Sequence, residues 1–280
     1  MNTHTRSALT VAAAIAAATA GSAQAQASAD LAQQTVWLQL SAFRAGLDSE
    51  IRSDREGATL SGTNVVLERD LGLRKNKALP ALLLGVRLGE RWRLEFEHYA
   101  INRSGRQSAL SSAITIDDVT YPVNVELSGK FDTRVTRAGG GFSIYKTPQA
   151  EAGLALGIHS TSFKFVAEGL AEAGNGQQAL RRTDKNKSLP MPTIGAYGSV
   201  ALGPGWSAGG RLDLLPLKAK GFKGDLINFE ANLAYRFSPN LTAGLGYRAV
   251  DYKVSGKSKK FNGRVKYEFR GPQLFVEAGF

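Results

Sequence analysis

The chain has 280 residues and no cysteine, and its 35 Lys and Arg outweigh 24 Asp and Glu to give a formal net charge of +11. Without cysteine there is no disulfide framework, no thiolate metal site and no lipidated N-terminal Cys. The length suits one β-domain or two smaller domains, so repeats and turns must set the organisation.

Residues 1–27 read as a cleaved secretory signal peptide. A short basic stretch holds Arg6, an alanine-rich apolar segment runs from Leu9 to Ala20, and Ala23-Gln24-Ala25 supplies the small-x-small cleavage pattern. The apolar segment is short of the roughly 20 residues that a spanning helix needs. Export also suits a cysteine-free chain, which crosses an oxidising periplasm without forming disulfides. Residues 28–280 are expected to form one domain. They hold no apolar run of membrane-helix length, so spanning a membrane would require a closed barrel, whose strands satisfy one another's backbone groups.

Along the rest of the chain the period is two. Residues 35–46 open the pattern. Leu82, Leu84, Val86 and Leu88 then share a face opposite Leu83, Gly85 and Arg87, and after the turn Gly89-Glu90-Arg91 the residues Trp92, Leu94 and Phe96 alternate with Arg93, Glu95 and Glu97. Phe229, Ala231, Leu233, Tyr235 and Phe237 alternate with Asn228, Glu230, Asn232, Ala234 and Arg236. Past the tight turn Ser238-Pro239-Asn240, Leu241, Ala243, Leu245 and Tyr247 continue the pattern. A soluble β-sandwich alternates in the same way, so other features must separate the two.

An internal repeat supplies one. Lys75-Asn76-Lys77-Ala78-Leu79-Pro80 recurs as Lys185-Asn186-Lys187-Ser188-Leu189-Pro190, and each copy leads into an apolar strand, a glycine turn and a tryptophan. Ser143-Ile144-Tyr145-Lys146-Thr147-Pro148 likewise matches Ala234-Tyr235-Arg236-Phe237-Ser238-Pro239. Fixed-order self-similarity of this kind indicates a four-strand duplication. It assigns strands near 79–88, 91–103, 121–146 and 150–166, then 189–202, 205–217, 223–238 and 241–255, with 35–46 and 262–280 outside the repeat.

The fold class expected is therefore all-β, a transmembrane antiparallel up-and-down barrel of about ten strands, with twelve as the alternative. Every tight turn then falls on one side. The long connections near 47–78, 104–120, 167–188, 218–222 and 256–261 fall on the other, the asymmetry of short periplasmic turns and longer outer loops. Trp37, Trp92 and Trp206 all come to the periplasmic side, where an aromatic girdle belongs. Two changes of phase remain. Val135 is out of step with Phe142, and Val265, Tyr267 and Phe269 with Leu274, Val276 and Ala278, so bulges are expected at Gly139–Gly141 and Gly271-Pro272. A hairpin at Gly271-Pro272 would change the strand count instead.

The final Leu274-Phe275-Val276-Glu277-Ala278-Gly279-Phe280 alternates and stops on phenylalanine. Together with the preceding strands, it resembles the Gram-negative outer-membrane β-barrel proteins over essentially the whole mature chain. The resemblance implies location in the outer membrane and recognition of the last strand by the barrel-assembly machinery, with Phe280 as the assembly signal. Ala278 departs from the aromatic commonly found before the end.

Barrel enzymes of that superfamily use a Ser-His pair for lipid A deacylation, or paired aspartates with a His-Asp pair for proteolysis. His159-Ser160 and Asp117-Asp118 are the residues to weigh. Neighbours on a strand point apart, so His159 and Ser160 do not form a nucleophile and base. Asp117-Asp118 lies in an expected outer loop with no histidine nearby, and His98 is read as unpartnered. No catalytic residue, cofactor or metal site is assigned, and a hydrolase acting on lipid A or peptides is the alternative function.

The expected lumen lining is Arg93, Glu95, Glu97, Glu151, Arg211, Asp213, Glu230, Arg236, Arg248 and Glu277. A barrel of about ten strands has little free interior, so these charges are expected to pair and plug it. The outer connections are basic, and Lys75, Lys77, Arg181, Arg182, Lys185 and Lys187 are expected to contact the phosphate-rich lipopolysaccharide leaflet. The function expected is a monomeric, porin-like or structural barrel with a surface-interaction or narrow passive transport role. Its partners are outer-membrane lipid and lipopolysaccharide, and nucleic acid is not among them.

Overall fold

The computed structural model describes residues 34–54, 62–116, 119–172, 178–219, 222–258 and 261–280. Residues 1–27, expected to be a signal peptide, and Asp117-Asp118 lie outside the described residues. Ten long strands form the wall: β1 (Val36–Ser53), β3 (Asn76–Leu88), β4 (Trp92–Gln107), β7 (Leu127–Lys146), β8 (Ala150–Glu172), β9 (Gln178–Gly203), β10 (Trp206–Ala219), β11 (Phe222–Ser238), β12 (Leu241–Ser258) and β13 (Phe261–Gly279). Short pieces lie between them: β2 (Val65–Val66), the one-turn helix α1 (Leu67–Asp70), β5 (Ile114–Ile116) and β6 (Val119–Tyr121). The long strands pair antiparallel in chain order, and β13 pairs back onto β1 from Trp37↔Gly279 to Ser53↔Gly263, which closes the barrel. The strand count is ten. The two expected quartets occupy adjoining arcs, an arrangement that accommodates a duplication without establishing it.

Alternation places one face of every wall strand outside. Leu40, Leu156, Leu245 and Leu274 are 59–69% exposed on that face, which only a lipid environment makes favourable in such numbers. Near the tight turns, expected to be periplasmic, Trp92 packs on Phe142 and Trp206 on Tyr235, each with ring centroids 5.0 Å apart. Trp37 does not join them. It points inward and is buried, with Arg93 over its ring at 5.2 Å. Gly85 on the adjacent strand leaves the space the indole fills, since a Cβ there would overlap the ring.

The bulges expected at Gly139–Gly141 and Gly271-Pro272 are absent. β7 pairs without a shift from Leu127 to Ser143, and β13 pairs continuously through Arg248↔Gly271 and Tyr247↔Pro272. What changes along the strand is the polarity of the two faces. In the membrane half, Leu274 and Val276 face out while Gln273 is buried inside; farther up, Tyr267 and Phe269 are buried inside while Lys266 and Arg270 face out. The barrel thus has apolar walls and a polar filling in lipid, then polar walls and an apolar filling where it projects into water. A change of solvent, not of register, produced the apparent change of phase.

Four of the five outer connections are also shorter than expected; the one between β4 and β7, residues 108–126, is not. β8 and β9 continue as a paired hairpin to Glu172↔Gln178, so Arg181, Arg182, Lys185 and Lys187 lie in strand β9, and Lys77 lies in β3. The connections near 218–222 and 256–261 contract to short links between β10 and β11 and between β12 and β13. Two segments that do leave the wall fold inward over the barrel. Leu67, Leu71 and Leu73 from one, with Leu110, Ile114, Ile116 and Tyr121 from the other, are buried against the apolar filling. Glu68 fastens the first segment by accepting from the Ser49 amide at 3.0 Å and from Arg103 Nη1 at 2.5 Å.

Candidate functional site

The candidate site is the interior. It has two layers, and their order follows from the sequence of inward-facing residues on each strand. The outer layer is aromatic: Phe131 stacks on Phe163 at 5.8 Å, Phe163 meets Tyr252 at 5.1 Å, and Tyr267 meets Phe269 at 5.5 Å. Tilted and edge contacts of this kind stabilise beyond the area they bury.

The inner layer is ionic and centres on β4. Glu95 and Glu97 project from it, and Arg137 on neighbouring β7 reaches both, at 3.1 Å to each. Two arginines cross from the far wall. Arg211 on β10 meets Glu95 at 2.7 Å and also clasps Asp213, while Arg248 on β12 holds Glu97 with both terminal nitrogens. Asn228 links these two arms: it accepts from Arg248 Nε at 3.1 Å and donates to Asp213 at 2.9 Å. Arg93 pairs with Glu95 and lies between the Trp37 and Tyr197 rings. Nearby, Arg87 makes a two-point bond to Glu151 at 3.0 and 2.9 Å, with Ser143 and Tyr197 continuing the chain. Charges removed from water are tolerable only when paired and fully hydrogen-bonded, and here strands on opposite sides of the barrel supply the partners.

Of the remaining assigned residues, Glu230 shares the cross-strand row of Arg211 and Arg248, while Glu277 and Arg236 lie nearer the tight turns. Glu230 accepts from Gln273 at 2.6 Å, and Glu277 and Arg236 line a cavity of about 210 Å³ with Trp37, Asn232 and Glu95. Sequence reasoning missed Arg87, Arg137, Asn228 and Tyr197 as lumen residues. Carrying the odd-numbered parity of Val135 straight through Gly139–Gly141 would have placed Arg137 inside. His159 is buried and faces in, Ser160 faces out, and no metal-binding group of His, Asp or Glu occurs among the described residues. His98 is not alone: its Nδ1 lies 2.9 Å from Thr136 Oγ1 on the outer face.

Of the residues assigned to lipopolysaccharide, Arg182 is exposed beside Glu168 at 3.1 Å, Arg181 and Lys187 are exposed, and Lys75 precedes β3. On the projecting wall of β12 and β13, Glu268 draws Lys266 at 3.1 Å and Arg270 at 3.2 Å. Partial burial acts to raise its pKa, but the Lys266 hydrogen bond and the charges of Lys253 and Arg270 hold it below the ordinary carboxylate value.

No family model matches the chain, and no curated protein matches it either. Among solved structures, the Escherichia coli outer-membrane protease OmpT superposes with a TM-score of 0.58 at 13% identity, over 89% of this chain and 98% of that one. The transport unit of the Escherichia coli autotransporter AIDA-I gives 0.41 at 9% identity over 91% and 93%, and the Pseudomonas putida toluene transporter TodX gives 0.37 at 11% over 90% and 91%. The chain has the fold of the Gram-negative outer-membrane β-barrels, and its apolar belt makes it an integral barrel of that membrane.

Proposed function

We propose that this is a monomeric, non-catalytic barrel whose interior is filled rather than conducting and whose role lies at its outer surface. The carrying observation is the pair of stacked layers in the lumen: arginines from β10 and β12 bridge to β4, and the aromatic layer with its inward-folded segments covers them. A solute would have to break both. Cations ring the projecting end, Arg182 on its outer face and Lys77, Lys185 and Lys187 on the face that pairs with the buried Ala45, Phe165 and Phe163, and Lys75, Lys77, Arg181, Arg182, Lys185 and Lys187 are read as contacts for lipopolysaccharide phosphates, which attract them electrostatically. Phe280 serves the barrel-assembly machinery in this reading; its exposed ring faces lipid while its amide bonds to the Val36 carbonyl at 2.8 Å across the closing strands.

Replacing all six cations with glutamine tests the surface role. In a density gradient the parent barrel should migrate with lipopolysaccharide and the variant should separate from it at lower salt. Identical migration of the two would remove the rim contact.

A further inference from the structure

We infer that the outer face of β4, β7, β8 and β9 holds a binding site for a membrane lipid whose headgroup carries a phosphate. The site sits where the apolar belt ends. Phe96, Ala138 and Ile158 form one cross-strand row facing lipid. One step outward along the strands, the row becomes His98, Thr136 and Ser160, and the next is Ala100, Arg134, Ser162 and Ser188. Within these rows His98 Nδ1 meets Thr136 Oγ1 at 2.9 Å, and Ser162 donates to Ser188 at 3.0 Å.

Arg134 is exposed in the middle of this patch, and among the described residues no carboxylate lies within 4.0 Å of its guanidinium. The basic residues of the β12–β13 wall are different, because Lys253, Lys266 and Arg270 all converge on Glu268. An unpaired guanidinium flanked by hydroxyls matches phosphate oxygens, which take two parallel N–H bonds from arginine and further bonds from O–H donors. The apolar row directly beneath accepts the acyl chains of the same molecule. A free phosphate ion would use only the upper part, so the geometry favours an amphiphile. The site shares the membrane orientation proposed above but none of the six rim cations.

Native mass spectrometry of the full barrel in dodecyl maltoside, loaded with bisphosphorylated lipid A or its dephosphorylated form, tests this. The parent should retain the phosphorylated lipid preferentially. Arg134→Gln should lower retention about tenfold, the loss expected for a charge-assisted hydrogen bond. Thr136→Val with Ser162→Ala should lower it too. Arg44→Gln is the control. Arg44 is an exposed cation that pairs opposite Ala78 at the edge of the belt, without hydroxyl neighbours on that strand, and its loss should change retention by less than about twofold, as for a weak surface charge. Equal loss in Arg44→Gln and Arg134→Gln, or equal retention of the dephosphorylated lipid, would overturn the site. Retention by the six-cation variant would support it even where the rim contact fails.

Discussion

Glu97 and Glu95 are the residues on which most interior bonds converge, and their removal is the sharpest side-chain test. Glu97→Ala leaves Arg248 and Arg137 without their main counter-charge in a water-poor interior. Breaking a buried pair from one side costs about 3–5 kcal/mol, so its unfolding midpoint in guanidinium should fall well below that of the parent in the same detergent. A midpoint within error of the parent would mean that water screens the network. Gly85 makes a different test. A side chain there must displace the Trp37 indole, and Gly85→Val should cost about 1–3 kcal/mol, the usual penalty of overpacking. Strand alternation made the facing of Glu95 and Glu97 legible in the sequence. It did not reveal Trp37, because a tryptophan near the periplasmic end reads as girdle unless the glycine opposite it is noticed.

At the scale of elements, the β8–β9 hairpin and the inward-folded cap differ most from what the sequence suggests. Leu180-Arg181-Arg182-Thr183-Asp184-Lys185-Asn186-Lys187-Ser188 is polar on both faces, so no period of two emerges and the segment reads as loop. Its strand structure comes from pairing with β8, a tertiary fact. Amides from Arg182 to Ser188 should therefore exchange with deuterium far more slowly than a solvated loop; exchange complete within seconds would contradict the pairing. The cap offers a second test. Glu68→Ala removes its fastening to Ser49 and Arg103 and should speed exchange across residues 62–75 while the ionic layer stays protected. Strand ends were legible within a few residues on the periplasmic side, where Gly89, Pro204 and Asn240 punctuate the turns, and poorly legible on the outer side, where strands outrun the membrane.

For the whole molecule, the two solvents met by the barrel explain its two fillings. In lipid the outside must be apolar, which leaves the polar side chains of each alternating strand to face inward and pair. In water the requirement inverts, and the apolar residues turn to the lumen without any change of register. Strand number and closure follow from turns and alternation and were readable in advance. The inversion was not, because one sequence pattern serves two environments and nothing in the chain marks the boundary except the place where Leu274 and Val276 give way to Tyr267 and Phe269. On the proposed reading, the consequence is an interior closed twice over, by ions and then by rings.

Single-channel recording in planar bilayers tests that closure most directly. The refolded parent barrel should give no steady conductance steps in molar potassium chloride, and Glu68→Ala, which loosens only the cap, should give none either. Steady, ohmic steps from the parent protein would contradict a filled lumen.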